Sequence, residues 1–223
     1  MDRFFLFISR MNSVILLLLL IGGGLVLGVK LWSTTATPLP LVKQSASDEG
    51  KRLRLEEAEK VGDTDTYYAV LVSDADTKFI SSGPYGRVGR NILFIQNGAG
   101  SASWLFPANA QILRKIKPLP EAKDAQTPSS PKALYMEVVS ADTDGDGGMG
   151  WSDAIDIAFT KPDGTQFTKT LAGVSRVLAF DTAIENEMRI IYQIGTELWQ
   201  GQISLDDFKL LSSQRVAAVP ESL

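Results

Sequence analysis

The sequence predicts a mainly β protein: an N-terminal transmembrane helix followed by a domain of antiparallel sheets, with a β-sandwich as the alternative arrangement. Three observations predict it. From Tyr67 onward, short runs rich in Val, Ile, Tyr and Phe are separated by Gly, Pro, Asn and Asp breaks. In the run that begins at Met188, Arg189, Ile191 and Gln193 alternate with Ile190, Tyr192 and Ile194, the two-residue period of a half-buried strand. The longest apolar stretch, Ser13 to Trp32, stands apart at the N-terminus.

That stretch is apolar except at Ser13 and Lys30, and about 20 residues at ~1.5 Å each can span a bilayer. Lys30 can reach the headgroups and Trp32 suits the interface. Arg3 and Arg10 precede the span, so residues 1–12 are expected in the cytoplasm and the bulk of the chain outside it, in the periplasm if the source is bacterial. A cleaved signal peptide is the alternative, but no clean small-x-small cleavage pattern follows, which favours an uncleaved anchor at 13–32. The lipid bilayer is then one partner. Gly24 and Gly28 form a GxxxG pair through which two anchors could pack, one route to a homodimer; a protein partner is the other possibility.

Residues 33–66 are expected as stalk and linker. Ser33 to Gly50 is rich in Ser, Thr and Pro, and Lys51 to Gly62, "KRLRLEEAEKVG", reads as a short surface helix. The β domain is expected over 67–216, with a tail at 217–223. Its first cluster holds "YYAVLVS", "KFISSG", "NILFIQ" and "SASWLFP", with "ANAQILRKIKPLP" ambiguous. The second holds "ALYMEVVSAD", "AIDIAFTK" and "TQFTKTLA", the last two joined at Pro162, Asp163 and Gly164, residues that suit a tight turn. The third holds "SRVLAFDTA", "MRIIYQIG", "LWQGQISL" and "FKLLSSQRV". Three clusters of short strands resemble blades of TolB-type or WD-repeat β-propellers, with no WD dipeptide among them. Three blades are too few to close an ordinary ring, so the resemblance implies blade-like antiparallel sheets without a complete propeller.

Composition excludes several functions. With 223 residues, 44% hydrophobic and 22% charged, the chain suits one globular domain plus appendages. A net charge of −4, with basic residues clustered only at Lys51–Arg54 and Arg114–Lys117, predicts no nucleic-acid partner. There is no cysteine and no histidine, which removes disulfides, thiol nucleophiles, cysteine zinc sites and every triad with an imidazole base.

The chemistry concentrates in "DTDGDGGMGWSD", Asp142 to Asp153. Calcium takes six to eight oxygens at ~2.3–2.6 Å, and alternating carboxylates can point them into one concavity. This stretch resembles the calcium loop of EF-hand and dockerin-type repeats. The resemblance implies Asp142, Asp144 and Asp146 as side-chain ligands, Gly147 at the sharp turn, the Gly148 carbonyl as a further ligand and Asp153 closing the shell. Met149 would pin the loop to the domain. The closing residue is Asp where EF-hands have Glu, and the flanks favour strands over helices. A solvated acidic turn is the alternative.

The function expected is a membrane-anchored, extracytoplasmic, calcium-binding β domain, a binding or accessory module of the cell envelope and not an enzyme. No catalytic residue is assigned. One alternative is a calcium-dependent hydrolase using carboxylates such as Asp181 with Glu185 or Asp206 with Asp207. Another is a calcium-responsive regulator, which requires two states with different contacts.

Overall fold

The computed structural model describes residues 52–74, 87–98, 100–121, 130–184 and 186–220. The expected span and stalk up to Gly50, the strand-like run Lys78–Gly83 and Glu185 lie outside the described residues. Among the described residues every regular element is a strand, and no helix is long and apolar enough to cross a membrane.

The sheet begins earlier than the sequence suggests. In place of the helix expected over 51–62, β1 (Leu53–Leu55) and β2 (Glu59–Lys60) both pair antiparallel with β3 (Thr66–Asp74). Glu, Lys, Leu and Ala favour a helix in isolation. Here the ladder of β3 satisfies the backbone, and Val61 is only 1% exposed, so tertiary contacts override propensity. β3 then pairs with β4 (Arg87–Gln96), and β4 continues through a tight turn into β5 (Ser101–Trp104). Asn91, fully buried on β4, fixes the segment after β5. Its amide nitrogen donates to Phe106 O and Asn109 Oδ1, and its carbonyl oxygen accepts from the Phe106 and Ile92 amides.

The ambiguous segment is a strand, β6 (Ile112–Leu119), but it does not belong with the first cluster. It meets β4 at one position, Gly89 opposite Leu113, and runs in register along β7 (Ala133–Val139). β7, β8 (Ile155–Thr160) and β9 (Thr168–Val174) complete an antiparallel meander in chain order. A second meander of four strands, with a separate ladder, follows: β10 (Arg176–Asp181), β11 (Glu187–Ile194), β12 (Glu197–Ser204) and β13 (Leu210–Ala218).

The β6–β9 meander lies between the other two layers, because β7 and β8 are buried along their whole lengths. One face of the pair, with Tyr135, Ile157 and Phe159, packs with Ile190, Tyr192 and Phe208 of the C-terminal sheet. The other face, with Leu134, Met136 and Ala158, packs with Ile92, Phe94 and Phe106. Each large apolar side chain so buried contributes roughly 1.5–3 kcal/mol, which explains why these strands carry near-continuous apolar runs. Tyr192 and Trp199 stand opposite each other in register, as adjacent inward positions should. Tyr192 is buried, its hydroxyl paired with Ser213 Oγ at 2.8 Å, and Trp199 is partly buried beside it. Ile194, at the strand end, escapes burial.

The expected turn between β8 and β9 is present. Gly164 has φ +82°, and its amide donates to Lys161 O at 2.9 Å. A Cβ there would lie 2.3 Å from the Phe94 ring, so both conformation and space require glycine.

Candidate metal centre

Residues 140–154 connect β7 to β8, so the acidic loop springs from the two most buried strands. Its base is clamped: Asp156, buried on β8, accepts from Ser140 Oγ at 2.6 Å and forms an ion pair with Lys169 Nζ of β9. Met149 and Trp151 lay the far side of the loop on the core, as expected for Met149, and the Arg114 guanidinium stacks 4.7 Å over the Trp151 ring.

Within the loop each aspartate folds the backbone around itself. Asp142 accepts the Gly145 and Gly147 amides at 2.7 and 2.9 Å, Asp144 the Asp146 amide at 3.0 Å, and Asp146 the Gly148 amide at 3.0 Å. Gly147, at φ +91°, makes the reversal that an L side chain would strain. The outcome is convergence: one carboxylate oxygen from each of Asp142, Asp144 and Asp146 lies within 4.8 Å of the others, and all three residues are exposed. The Ser152 hydroxyl and then the Asp146 amide hold the Asp144 carboxyl below the ordinary carboxylate pKa, so it stays charged.

Asp153 is placed differently. It is 1% exposed and stands outside the convergent group. Its Oδ1 accepts the Thr143 amide, the Thr143 hydroxyl (3.0 Å) and the Asp144 amide (3.2 Å), while Oδ2 accepts the Gly150 amide at 2.6 Å. Burial alone would push its pKa up. The donors from Thr143, Gly150 and Asp144 outweigh burial and leave it lowered. The carboxylate is thus a staple that ties the two ends of the loop together. The supporting residues Ser140, Thr143, Ser152, Asp156 and Lys169 were not singled out from the sequence. An isolated Asp in the apolar strand "AIDIAF" was the available signal, since a buried acid needs partners.

Other acids occupy turns. Asp181 accepts the Ala183 amide at 3.1 Å, and Asp206 offers its backbone carbonyl to Lys161. Hydrogen bonding from Lys209 holds the Asp207 pKa down at about 2. A groove of about 480 Å³ lies across β1, β3 and the start of β4, and includes Glu56, Glu59, Tyr68 and Arg87. There the Tyr68 phenol donates to Glu59 at 2.7 Å, and Glu56 faces Arg87 at 3.5 Å.

No family model matches the chain, and no curated protein does. Three solved structures overlap it loosely. The β-propeller domain of the Trilobed protease from Pyrococcus furiosus is 8% identical with a TM-score of 0.40, over 74% of this chain and 43% of that one. The luciferin-regenerating enzyme is 10% identical with a TM-score of 0.35, over 78% and 63%. The Bacillus megaterium YpeB C-terminal domain is 10% identical with a TM-score of 0.19, over 75% and 90%. The chain thus spans less than two thirds of the length of the first two. These overlaps are too loose to define a shared fold.

Proposed function

We propose that the protein is a membrane-anchored, extracytoplasmic β domain of blade-like sheets that binds one calcium ion at Asp142–Asp153 and serves as a binding or accessory module of the cell envelope. The observation that carries the calcium reading is the convergence of the aspartate triad: one carboxylate oxygen from each of Asp142, Asp144 and Asp146 lies within 4.8 Å of the others. Oxygens bound to one calcium at ~2.3–2.6 Å lie no more than ~5.2 Å apart, so the three can share one ion as they stand. Calcium accepts an irregular all-oxygen shell of six to eight ligands, whereas magnesium demands a near-ideal octahedron and keeps several waters.

The rest of the shell would come from the Gly148 carbonyl, water, and Asp153 Oδ2, which accepts a single hydrogen bond. The ion would neutralise three exposed carboxylates gathered at one point, and the loop is already curled by its own amides. Binding would therefore act as a clip between β7 and β8 more than as a switch. Support for the anchor is the apolar run Ser13–Trp32 with Arg3 and Arg10 before it.

Two experiments test this. Terbium, a luminescent calcium mimic, bound in the loop should be sensitised by Trp151, and calcium should quench the emission by competition. Absence of sensitised emission, or emission unchanged in Asp142→Asn with Asp146→Asn, would remove calcium from the proposal. A C-terminal reporter active only outside the cytoplasm should be active in cells; activity of a cytoplasm-only reporter would reverse the topology.

A further inference from the structure

An asparagine side chain loses ammonia when the backbone nitrogen of the next residue attacks its carbonyl carbon. The reaction needs a free carboxamide, a free backbone amide after it, and a following residue with no Cβ in the way. Four asparagines can be compared among the described residues. Asn91 and Asn109 are buried, at 0% and 3% exposure, and hydrogen-bonded to each other. Asn186 takes the Lys132 ammonium on its side-chain oxygen, and the amide that follows it, of Glu187, donates to Ile184 O at 3.2 Å. Asn97 differs from all three. It lies just past the Gln96–Ser101 pair that closes the β4–β5 hairpin, is exposed, and is followed by Gly98. Neither its carboxamide nor the Gly98 amide makes a hydrogen bond among the described residues. Nothing lies within 4 Å of where a Gly98 Cβ would stand.

Three Asp–Gly pairs resemble Asn97–Gly98 in sequence but are closed by the fold. The Gly145 and Gly147 amides donate to the Asp142 carboxylate at 2.7 and 2.9 Å, and the Gly164 amide donates to Lys161 O at 2.9 Å. Each of these nitrogens must give up a hydrogen bond before it can attack. An ionised carboxylate is also a poor electrophile, and Asp144 is held below the ordinary carboxylate pKa.

We infer that Asn97–Gly98 is a site of spontaneous covalent modification, at which asparagine becomes isoaspartate or aspartate through a cyclic imide. The Gly98 nitrogen gives up its proton and bonds to Asn97 Cγ, the Cγ–Nδ2 bond breaks, and ammonia leaves. Water then opens the ring. Cleavage between Gly98 N and Asn97 Cγ gives aspartate; cleavage between Gly98 N and the Asn97 main-chain carbonyl carbon gives isoaspartate. The balance is amide plus water to carboxylate plus ammonium, with water as the co-reactant. Either product puts a negative charge at the hairpin tip, where the Asn97 amide donates to Asp65 O at 2.9 Å. Isoaspartate also lengthens the main chain by a carbon in the turn that Gly100 N closes on Gln96 O at 3.2 Å.

The test holds the full-length protein in detergent at pH ~8 and ~37 °C, then maps it by tryptic peptide mass against an unincubated blank. Cleavage after Arg90 and Arg114 releases one peptide that carries Asn91, Asn97 and Asn109, so the three are compared directly. A gain of about 1 Da should appear at Asn97 at least ~10-fold faster than at the other two, and an isoaspartyl methyltransferase should label the product. Gly98→Ala should slow the conversion by ~10-fold or more. Its melting temperature should match wild type, because the added methyl group meets nothing and the backbone there is not left-handed. Conversion at Asn97 no faster than at Asn91 or Asn109 overturns the inference. A product that is aspartate alone does the same, as does a Gly98→Ala variant that converts at the wild-type rate, since both mean direct hydrolysis without the ring.

Discussion

Replacing Asp153 with alanine perturbs the loop where its two ends meet. The carboxylate accepts three backbone amides and one hydroxyl while 1% exposed. Hydrogen bonds to a charged group are worth ~1.5–3 kcal/mol each, but these four share one acceptor group, and Thr143 and Asp144 are exposed enough for water to recover part of the loss. A total near ~3 kcal/mol follows, which for a domain of this size lowers Tm by ~6–12 °C. Asp153→Asn should fall between alanine and wild type, because its carbonyl can serve Thr143 and Asp144 but its NH₂ would confront the Gly150 amide, donor against donor. The pH dependence has a definite sign. The folded pKa of Asp153 is lowered, so its contribution is complete above the ordinary aspartate value of ~3.9 and is lost as pH falls through the lower folded value. The gap between wild type and Asp153→Ala should therefore narrow only in that acid range. Thermal melts followed by near-UV circular dichroism, in chelator from neutral pH down to pH ~3, read all three effects. An alanine variant that melts with wild type at pH 7 would refute the staple, and a gap constant down to pH ~3 would refute the lowered pKa.

Three further substitutions probe the scaffold around the site. Gly164→Ala should destabilise by ~2–4 kcal/mol, since it adds a methyl group at 2.3 Å from the Phe94 ring and strains φ +82°; urea unfolding would show it as a lower midpoint. Asn91→Ala should cost ~2–4 kcal/mol by orphaning the Phe106 and Ile92 amides and the Asn109 and Phe106 oxygens, with hydrogen exchange rising first after β5. Tyr192→Asp, a charge placed without a partner in the inner face of β11, should lose several kcal/mol or fail to fold; an unchanged midpoint would mean the register of β11 and β12 is wrong.

Local patterns carried the strands, and non-local pairing carried what the patterns missed. Alternation at Arg189–Gln193 fixed the inward face of β11 because burial on one side is written directly in residue type. The "PDG" turn was legible for the same local reason. β1 and β2 were hidden because Leu53–Lys60 has a helix-forming composition, and only the edge of β3, distant in sequence, makes it strand. β6 was visible as an apolar run, but its neighbour was not, since nothing in "ILRKIKPL" says that Lys115 will stand opposite Glu137 on β7. At the site, the spacing of Asp142, Asp144 and Asp146 forecast their convergence. The same spacing offered Asp153 as a ligand without revealing its burial, which depends on how the loop folds back over the ends of β7 and β8.

The most direct test of the calcium reading is the melting temperature of the protein in excess calcium against chelator, for wild type and for Asp142→Asn with Asp146→Asn. Asp146→Asn keeps the oxygen that takes the Gly148 amide, while Asp142→Asn keeps an oxygen for only one of the Gly145 and Gly147 amides, which donate to Oδ1 and Oδ2, so the pair removes charge at the cost of one turn hydrogen bond. At free calcium ~100-fold above Kd, binding to the native state alone adds ~2.7 kcal/mol, or ~5–11 °C in Tm for a domain of 150–250 residues. The expected result is that rise in wild type, little of it with magnesium, and none in the double variant. Wild-type melts that superimpose in calcium and chelator, in a protein that is folded in both, would contradict a calcium site at Asp142–Asp153.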